Sequence, residues 1–303
     1  MDDAAGDDVV LEILPSIRAY RSGRVELLLP TVFVPASLDP DTGVASKDVT
    51  INPSTGLSAR VYLPPSSSFA GVRNLPVLVF YHGGGFCSGS AFSSPYHSYV
   101  NRLAAAAGIL AVSADYRLAP EHPLPAAYDD SLEVLQWVAG GGLESADLDK
   151  IFVSGDSSCA NIAHNVVLRL GQNNSVVEGL ILLHPHFWGK EKIGSGVILK
   201  AKDADALWPF VCPGTTGLDD QRINPTAAGA PSLAALGCRR VLVAVAGRDL
   251  LNEDEGEWVG RRSRVLGDRR GRPRLLPPQL REREINFIHG AIGEVSDREE
   301  LDL

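Results

Sequence analysis

The stretch that decides the fold covers residues 151–161 and reads IFVSGDSSCAN. An apolar run at residues 151–153 leads into a turn of small residues, and a helix-like segment at residues 160–170 follows directly. Strand, tight turn and helix around a G-x-S motif are typical of a nucleophile elbow, which would lift the Ser157 hydroxyl above a sheet at the positive end of the helix. Cys159 stands where this motif has its last glycine, so we expect its side chain to crowd the turn or force a small shift. Taken alone, the motif leaves a catalytic and a structural role for Ser157 equally open.

Short apolar runs rich in β-branched residues alternate with helix-like segments over most of the chain. The runs predict strands at residues 60–62, 76–81, 110–114, 151–154, 180–183 and 241–246, and the segments predict helices at residues 96–107, 128–138 and 160–170. Strands that are apolar throughout are buried on both faces, and their alternation with helices predicts βαβ units in a mostly parallel sheet. Residues 187–231 interrupt the rhythm. They predict either an insertion that covers a pocket at the carboxyl ends of the strands or a surface-packing excursion.

A glycine-rich stretch follows the second predicted strand, and residues 81–86 read YHGGGF. Three consecutive glycines carry a high entropy cost, which makes sense where backbone N–H groups must face a ligand. In esterases and lipases such a loop supplies oxyanion-hole donors, together with the N–H of the residue after the nucleophile. The pattern predicts an oxyanion hole formed by Gly83, Gly84 and Ser158, with His82 fixing the loop rather than acting as a base. A phosphate-binding loop is disfavoured, because no Lys-Ser or Lys-Thr follows the glycines.

A third element, residues 246–251, reads AGRDLL and follows the strand predicted at residues 241–246. An acid just past a late strand, and after the serine in chain order, has the position of the carboxylate that orients a catalytic histidine. Asp249 is therefore the candidate acid. The alternative is the N-cap of a helix.

The composition of the chain limits the classes of protein to which it can belong. With 303 residues, 45% of them hydrophobic, the chain is long enough for one large domain with a substantial core. A net charge of −9 argues against a nucleic-acid partner. Four cysteines without a CxxC spacing predict reduced thiols in a cytoplasmic protein. The first eight residues lack the features of a secretory leader, and the longest apolar stretch, residues 104–114, is about half of the roughly 20 residues that a membrane span needs. We therefore expect no membrane partner, and no motif predicts a metal or an organic cofactor.

Together these motifs resemble those of the plant carboxylesterases of the hormone-sensitive-lipase-like group, a family that includes the gibberellin receptors and related dehydratases. The resemblance covers residues 13–249, about four fifths of the chain. It rests on GVASKDV at residues 43–49, HGGGF at 82–86, DYRLAPEH at 115–122, GDSS at 155–158, CPG at 212–214 and INP at 223–225. It implies an α/β-hydrolase fold, with a mostly parallel central sheet, helices on both faces and a cap-like insertion.

The resemblance also implies roles for individual residues. These are Ser157 as nucleophile, Asp249 as triad acid, and Gly83 and Gly84 as oxyanion donors. Asp115 and Arg117 belong to the most specific of the shared motifs, and we expect them to form a partly buried charged pair that supports the elbow.

The family pattern further implies a catalytic histidine in a loop after the last strand, followed shortly by a phenylalanine. The C-terminal part of the chain contains no His-x-Phe. His289 is the only histidine after Asp249, and residues 284–288 before it would form the last strand. His289 is the candidate base, and the alternative is a histidine unrelated to the triad.

The C-terminal tail has an unusual composition. Nine arginines lie between residues 261 and 283, and no lysine follows Lys202. Residues 267–278 show neither a helical nor a strand period. The tail therefore indicates a basic arm for an acidic partner, or a poorly ordered segment such as an altered reading frame or splice would produce.

The sequence thus predicts a single α/β-hydrolase domain over residues 1–303, with its core at about residues 60–255, a lid-like segment at 1–40 and an atypical tail at 256–303. Residues 11–20 are expected to form at most a brief helix. The predicted function is a serine carboxylesterase that acts on small or medium esters through a Ser-His-Asp mechanism, with its activity impaired by the tail.

Three alternatives stay open: a non-catalytic protein that binds a small hormone-like ligand, a dehydratase, and an inactive product. The third glycine of the loop favours the esterase, because the receptors of the family carry serine there. The predicted partner is a small-molecule ester, and the sequence predicts no oligomeric state.

Overall fold

The computed structural model describes residues 8–13, 17–28, 30–65, 74–171, 177–190, 201–246 and 264–268. Three short strands come first: β1 (Val9–Ile13), β2 (Ile17–Tyr20) and β3 (Val25–Leu27). The later strands are β4 (Ala45–Asn52), β5 (Leu57–Leu63), β6 (Leu75–Tyr81), β7 (Leu110–Asp115), β8 (Ala146–Asp156), β9 (Val177–Leu183), β10 (Cys238–Ala246) and β11 (Arg264–Asp268). The α-helices are α1 (Ser94–Ala107), α2 (Ala126–Ala139), α3 (Ser158–Gly171) and α4 (Ala201–Val211).

The later strands form one sheet in the order β11-β10-β9-β8-β6-β7-β5-β4. Neighbours from β11 to β7 run parallel, whereas β5 is antiparallel to β7 and β4 is antiparallel to β5. The predicted mostly parallel sheet is confirmed, and every strand and helix predicted from the apolar runs and helix-like segments is present with wider bounds. The physical reason is visible in β9, where all seven residues are buried, as expected for a strand covered on both faces.

Helices cover both faces of this sheet. Side chains alternate along β6: Val77 and Val79 join a core cluster with residues of α2 and α3, whereas Leu78 and Phe80 join a second cluster with residues of α1. Helix α3 packs against β6, β8 and β9. Because parallel strands end at the same edge of a sheet, the carboxyl ends of these three strands meet there, and ligands of such folds bind at that edge.

Strands β1, β2 and β3 form a separate antiparallel sheet, and β1 packs against α4. The sequence predicted at most a brief helix over residues 11–20, and this prediction is wrong. The physical reason is a period of two, since Ile17 and Ala19 in β2 are buried and the residues after each are only partly covered. The lid-like role of the N-terminal segment stays a prediction.

The insertion at residues 187–231 contains α4 and packs onto α3. Trp208 of α4 is fully buried, and its Nε1 donates to Thr215 Oγ1 at 2.6 Å. Asn161 of α3 donates from Nδ2 to the Arg222 carbonyl at 2.7 Å. The first contact holds the insertion together, and the second attaches it to the helix that follows the elbow. Its role as a pocket cover stays a prediction.

Strand β11 pairs in parallel with β10, from Arg264 opposite Leu242 to Asp268 opposite Ala246. The sequence did not predict it, because its stretch RVLGD lies in the arginine-rich tail and holds only two large apolar residues. A strand at this position satisfies its backbone through its neighbour, so it needs little periodicity of its own. The last strand predicted at residues 284–288 lies outside the described residues.

Candidate active site

Ser157 lies in the turn between β8 and α3, with a backbone φ of 55°. Such a φ costs a residue with a Cβ about 1–2 kcal/mol, so the surroundings must hold it. They do so at both peptide groups: the Ser157 N–H donates to the Leu183 carbonyl at 2.8 Å, and the Ser157 carbonyl accepts the His186 N–H at 3.0 Å. Gly155 permits the sharp turn, because a Cβ there would clash with the backbone of Cys159. The Ser157 side chain is exposed at the carboxyl edge of the sheet.

Ser157 immediately precedes the N-terminus of α3. The first turn of α3 carries no acidic side chain, so no carboxylate of its own neutralises the positive end of the helix dipole. Ser158, the first residue of α3, is buried, and its N–H has no acceptor among the described residues. That N–H is therefore available to a negatively charged oxygen beside Ser157.

Residues 82–90, here called the glycine loop, lie next to this turn because β6 and β8 are neighbours in the sheet. The Gly83 N–H donates to Oδ1 of Asp156 at 2.7 Å, and Oδ2 of the same carboxylate accepts the Tyr96 O–H at 3.0 Å. A Cβ on Gly83 would overlap both Asp156 and Tyr96, which explains the need for glycine. The sequence predicted Gly83 as an oxyanion donor, but in this structure its N–H is bound to the residue before Ser157.

The next two peptide groups carry the N–H groups of Gly84 and Gly85, and among the described residues these N–H groups are free to bind a ligand. The Gly84 carbonyl accepts from the Cys87 N–H at 3.1 Å, from the Ser88 N–H at 3.0 Å and from Ser88 Oγ at 2.9 Å. In a trans peptide the N–H points opposite to the C=O, so these bonds direct the Gly85 N–H away from the turn that they close. Neither the Gly84 N–H nor the Gly85 N–H has an acceptor in the part of the chain that the structure describes.

His82 is fully buried beneath the glycine loop and stacks on Tyr116, with ring centroids 4.4 Å apart. Its Nδ1 lies 3.1 Å from the Gly83 carbonyl and donates to it in the Nδ1–H tautomer, which turns the Gly84 N–H outward. Burial lowers the pKa of His82 because desolvation penalises the charged ring, and Asp115 opposes this shift. A neutral, stacked and buried ring supports the prediction that His82 fixes the loop.

Cys159 is fully buried, and its sulfur contacts the His82 carbonyl and lies 2.7 Å from the Tyr116 hydroxyl. The close approach inside the turn is between Gly155 and the Cys159 backbone, and the Cys159 side chain is directed at the His82 carbonyl of the glycine loop. Burial raises the pKa of the thiol above its ordinary range, so the sulfur keeps its proton. Cys159 is thus a buried donor directed at the start of the glycine loop.

The profile of the α/β-hydrolase fold family matches residues 78–268, which include the glycine loop and the elbow. The chain belongs to the α/β-hydrolase family. It is 41% identical over 274 residues to probable carboxylesterase 2 of Arabidopsis thaliana, covering 84% of this chain and 85% of that protein. It is 45% identical to the chloroplastic tuliposide A-converting enzyme 1 of Tulipa gesneriana, covering 82% of this chain and 66% of that protein.

A solved structure supports the same assignment. An esterase of Pyrobaculum calidifontis superposes with a TM-score of 0.69 at 28% identity, over 83% of this chain and 85% of that chain. These similarities place the chain among the carboxylesterase-type hydrolases of the family.

The other two predicted catalytic residues, Asp249 and His289, lie outside the described residues. The structure does show the strand that leads to Asp249. Strand β10 ends at Ala246 and pairs with β9, whose end binds Ser157 through the Leu183 carbonyl. The stretch that carries Asp249 in the sequence therefore starts from the edge of the sheet where the hydrolase holds Ser157.

The charged pair predicted between Asp115 and Arg117 is not formed. Asp115 accepts hydrogen bonds from Ser90 Oγ at 2.7 Å and from the Ala91 N–H at 2.9 Å. Arg117 binds Asp130 of α2 through Nε at 2.9 Å and Nη2 at 2.7 Å. Residues two apart lie on the same face only within a strand. The prediction is wrong because β7 ends at Asp115, so Arg117 does not lie on the same strand face as Asp115. Asp115 instead anchors the far end of the glycine loop.

Sequence reasoning missed Asp156, Tyr96 and Tyr116 as parts of the site. Asp156 inside the elbow motif and Tyr116 inside the DYRLAPEH motif were usable signals, whereas Tyr96 reaches the loop from α1 without any local pattern. The described parts of the chain contain no group of three or more His, Cys, Asp or Glu side chains that could hold a metal ion. None of the helices in those parts is long and apolar enough to cross a membrane.

Proposed function

We propose that this hydrolase is a serine carboxylesterase that acts on small or medium carboxylic esters, with Ser157 as its nucleophile. The observation that carries the proposal is an exposed serine held at a positive φ directly before the N-terminus of α3. Backbone strain that the surroundings maintain at an exposed polar residue is typical of a functional site. The names of the relatives, a carboxylesterase and an esterase, support the same reaction class.

In the proposed reaction, His289 takes the proton of Ser157, and Asp249 holds the histidine in the required tautomer. The serine oxygen attacks the ester carbonyl and forms an acyl-enzyme, which water then hydrolyses. The reaction needs no metal and no organic cofactor. The positive end of α3 stabilises the charge that develops beside Ser157.

The oxyanion of the tetrahedral intermediate accepts hydrogen bonds from the N–H groups of Gly84, Gly85 and Ser158. Gly85 takes the place that the sequence gave to Gly83, because the Gly83 N–H is bound to Asp156. Each donor of this kind contributes about 3–4 kcal/mol to transition-state stabilisation. The three donors are backbone groups, so substitutions that keep the backbone in place leave them intact.

The tail limits the activity in this proposal. The base must come from residues after Asp249, where the composition departs from the family pattern, so we expect turnover below that of a hydrolase with the usual His-x-Phe. The alternative is a protein that binds a small carboxylate or ester without turnover, since N–H groups at a helix end suffice for such binding. The single domain over residues 1–303 and a cytoplasmic location belong to the same proposal.

Hydrolysis of the acetyl, butyryl and octanoyl esters of p-nitrophenol tests both the reaction and the size range. Ser157→Ala is expected to lower kcat by several orders of magnitude, as loss of the nucleophile does in triad enzymes. Ser158→Ala is the matched control and should cost far less, because only the backbone N–H of Ser158 is used. Equal turnover in Ser157→Ala and the unaltered protein would refute the nucleophile. Binding of butyrate without any ester turnover would instead support the ligand-binding alternative.

The base is tested separately. His289→Ala is expected to abolish turnover, whereas His122→Ala, which removes an exposed histidine, should leave it unchanged. Turnover that survives His289→Ala would show that His289 is not the base.

A further inference from the structure

The peptide group that joins His82 to Gly83 is held at both edges by residues that flank the nucleophile. Its N–H donates to Asp156, one residue before Ser157, and its carbonyl accepts from the thiol of Cys159, two residues after Ser157. We propose that Cys159 is a positioning residue, whose thiol fixes the tilt of this peptide group and thereby aims the following N–H groups at the oxyanion. The inference deepens the proposed function and rests on it.

Two protonated donors converge on the His82 carbonyl. The Tyr116 hydroxyl donates to it at 2.5 Å and lies 2.7 Å from the Cys159 sulfur. Burial raises the pKa of Tyr116 and of Cys159 above their ordinary ranges, so both groups keep their protons at neutral pH. A carbonyl oxygen has two lone pairs and accepts from both donors. The carbonyl edge of this peptide group is therefore held by two hydrogen bonds, one from the Cys159 thiol and one from the Tyr116 hydroxyl.

Fixing this peptide group fixes the loop after it. A peptide group is planar and rigid, so bonds at both of its edges prevent it from turning about its own axis. Gly84, with a φ of 137° and a carbonyl bound by Cys87 and Ser88, leaves the next two groups little freedom. A displacement of about 1 Å in an active site costs about a hundredfold in rate. Loss of the Cys159 donor should thus lower kcat more than it changes substrate binding.

A glycine at position 159, as the usual elbow motif has it, offers neither this donor nor its volume. The Cys159 side chain fills an enclosed space, and its removal would leave a cavity as well as one fewer hydrogen bond to the His82 carbonyl. Cys159→Gly is therefore expected to lower turnover, the opposite of the result that crowding in the turn would give.

Two substitutions separate the donor from the packing. With p-nitrophenyl butyrate, Cys159→Ala is expected to lower kcat about tenfold with KM within about twofold, the effect of one lost hydrogen bond. Cys159→Ser restores a donor, so kcat should return to within about threefold of the unaltered protein. Cys238→Ala is the control and should leave kcat unchanged, because Cys238 begins β10 at the opposite edge of the sheet.

Hydrogen exchange of residues 82–90 gives a second readout that does not depend on turnover. Cys159→Ala should speed exchange in the glycine loop by about tenfold while β9 keeps its protection, and Cys159→Ser should reverse the change. Unchanged kcat and unchanged loop exchange in Cys159→Ala would overturn the proposal. Equal losses in the Ala and Ser variants would also overturn it, because they would show that only packing matters. If Ser157→Ala keeps full turnover, the nucleophile proposal fails, and loop exchange still decides whether Cys159 holds the loop.

Discussion

Replacing Ser157 with glycine should stabilise the protein although it removes the proposed nucleophile. Ser157 has a φ of 55°, in the left-handed region, and its side chain is exposed, so its removal sacrifices little burial. Ser157→Ala keeps the Cβ and with it the strained backbone, whereas Ser157→Gly removes the cause of the strain. Both variants lack the hydroxyl, so their difference in stability reports on the backbone.

The magnitude follows from two opposing contributions. Relief of the left-handed conformation stabilises the glycine variant by about 1–2 kcal/mol. The greater freedom of glycine in the unfolded chain opposes this by about 0.4–1 kcal/mol. The hydrogen bonds of Ser157 with Leu183 and His186 involve backbone atoms, so they survive both substitutions. Ser157→Gly should therefore be more stable than Ser157→Ala by about 0.5–1 kcal/mol.

Urea unfolding followed by tryptophan fluorescence measures this difference. With a slope of about 3 kcal/mol per molar urea, the midpoint of Ser157→Gly should lie about 0.2–0.3 M above that of Ser157→Ala. Both variants should lack esterase turnover. If Ser157→Ala is as stable as Ser157→Gly, the turn is not strained at the nucleophile, and the argument from the positive φ fails.

Two further predictions concern His164 of α3 and Gly84 of the loop. Burial lowers the pKa of His164 from its ordinary 6.5 to about 4. The unfolded chain therefore takes up this proton before the folded chain does, and the free energy of unfolding should fall by up to about 3 kcal/mol as the pH drops from about 6.5 to 4. His164→Gln should flatten the pH dependence of the urea midpoint, unlike His122→Gln at an exposed position, and identical profiles would contradict this. Gly84→Ala should lose both turnover and at least about 1–2 kcal/mol of stability, because its φ of 137° is strained with a Cβ and that Cβ would clash with the Ser88 carbonyl. Gly214→Ala, which meets open space, should stay within about 0.5 kcal/mol, and equal stability of the two alanine variants would contradict the clash.

The main sheet could be predicted because most of its strands are buried on both faces, which marks each of them with a short apolar run, as in β9. Strands that lack such an apolar run were missed. In β2 only alternate residues, Ile17 and Ala19, are buried, and β11 depends on its pairing with β10. For these strands the deciding information lies in a neighbouring element rather than in the local sequence.

The same distinction holds at the site. The elbow and the glycine loop could be predicted, because their glycines and small residues encode backbone conformations such as the φ of Gly84. The hydrogen-bond partners of the polar groups could not be predicted. Arg117 binds Asp130 because α2 lies beside the chain after β7, and the Gly83 N–H meets Asp156 only because β6 and β8 are neighbours. These pairings depend on which secondary-structure elements become neighbours in the fold, and a local sequence pattern does not predict that.

The elbow and the glycine loop are held together by hydrogen bonds on both sides of Ser157. Asp156 and Cys159 lie on either side of Ser157, and both bind the peptide group at the start of the loop. The nucleophile and the N–H groups proposed for the oxyanion are thereby fixed to a single turn of backbone. Donors held in this way stabilise developing charge without reorganising, which is the basis of their large effect. In the proposal only the catalytic base comes from the tail. A change in the tail should therefore impair proton transfer from Ser157, whereas a substitution of Cys159 should impair the oxyanion donors and leave the base unaffected.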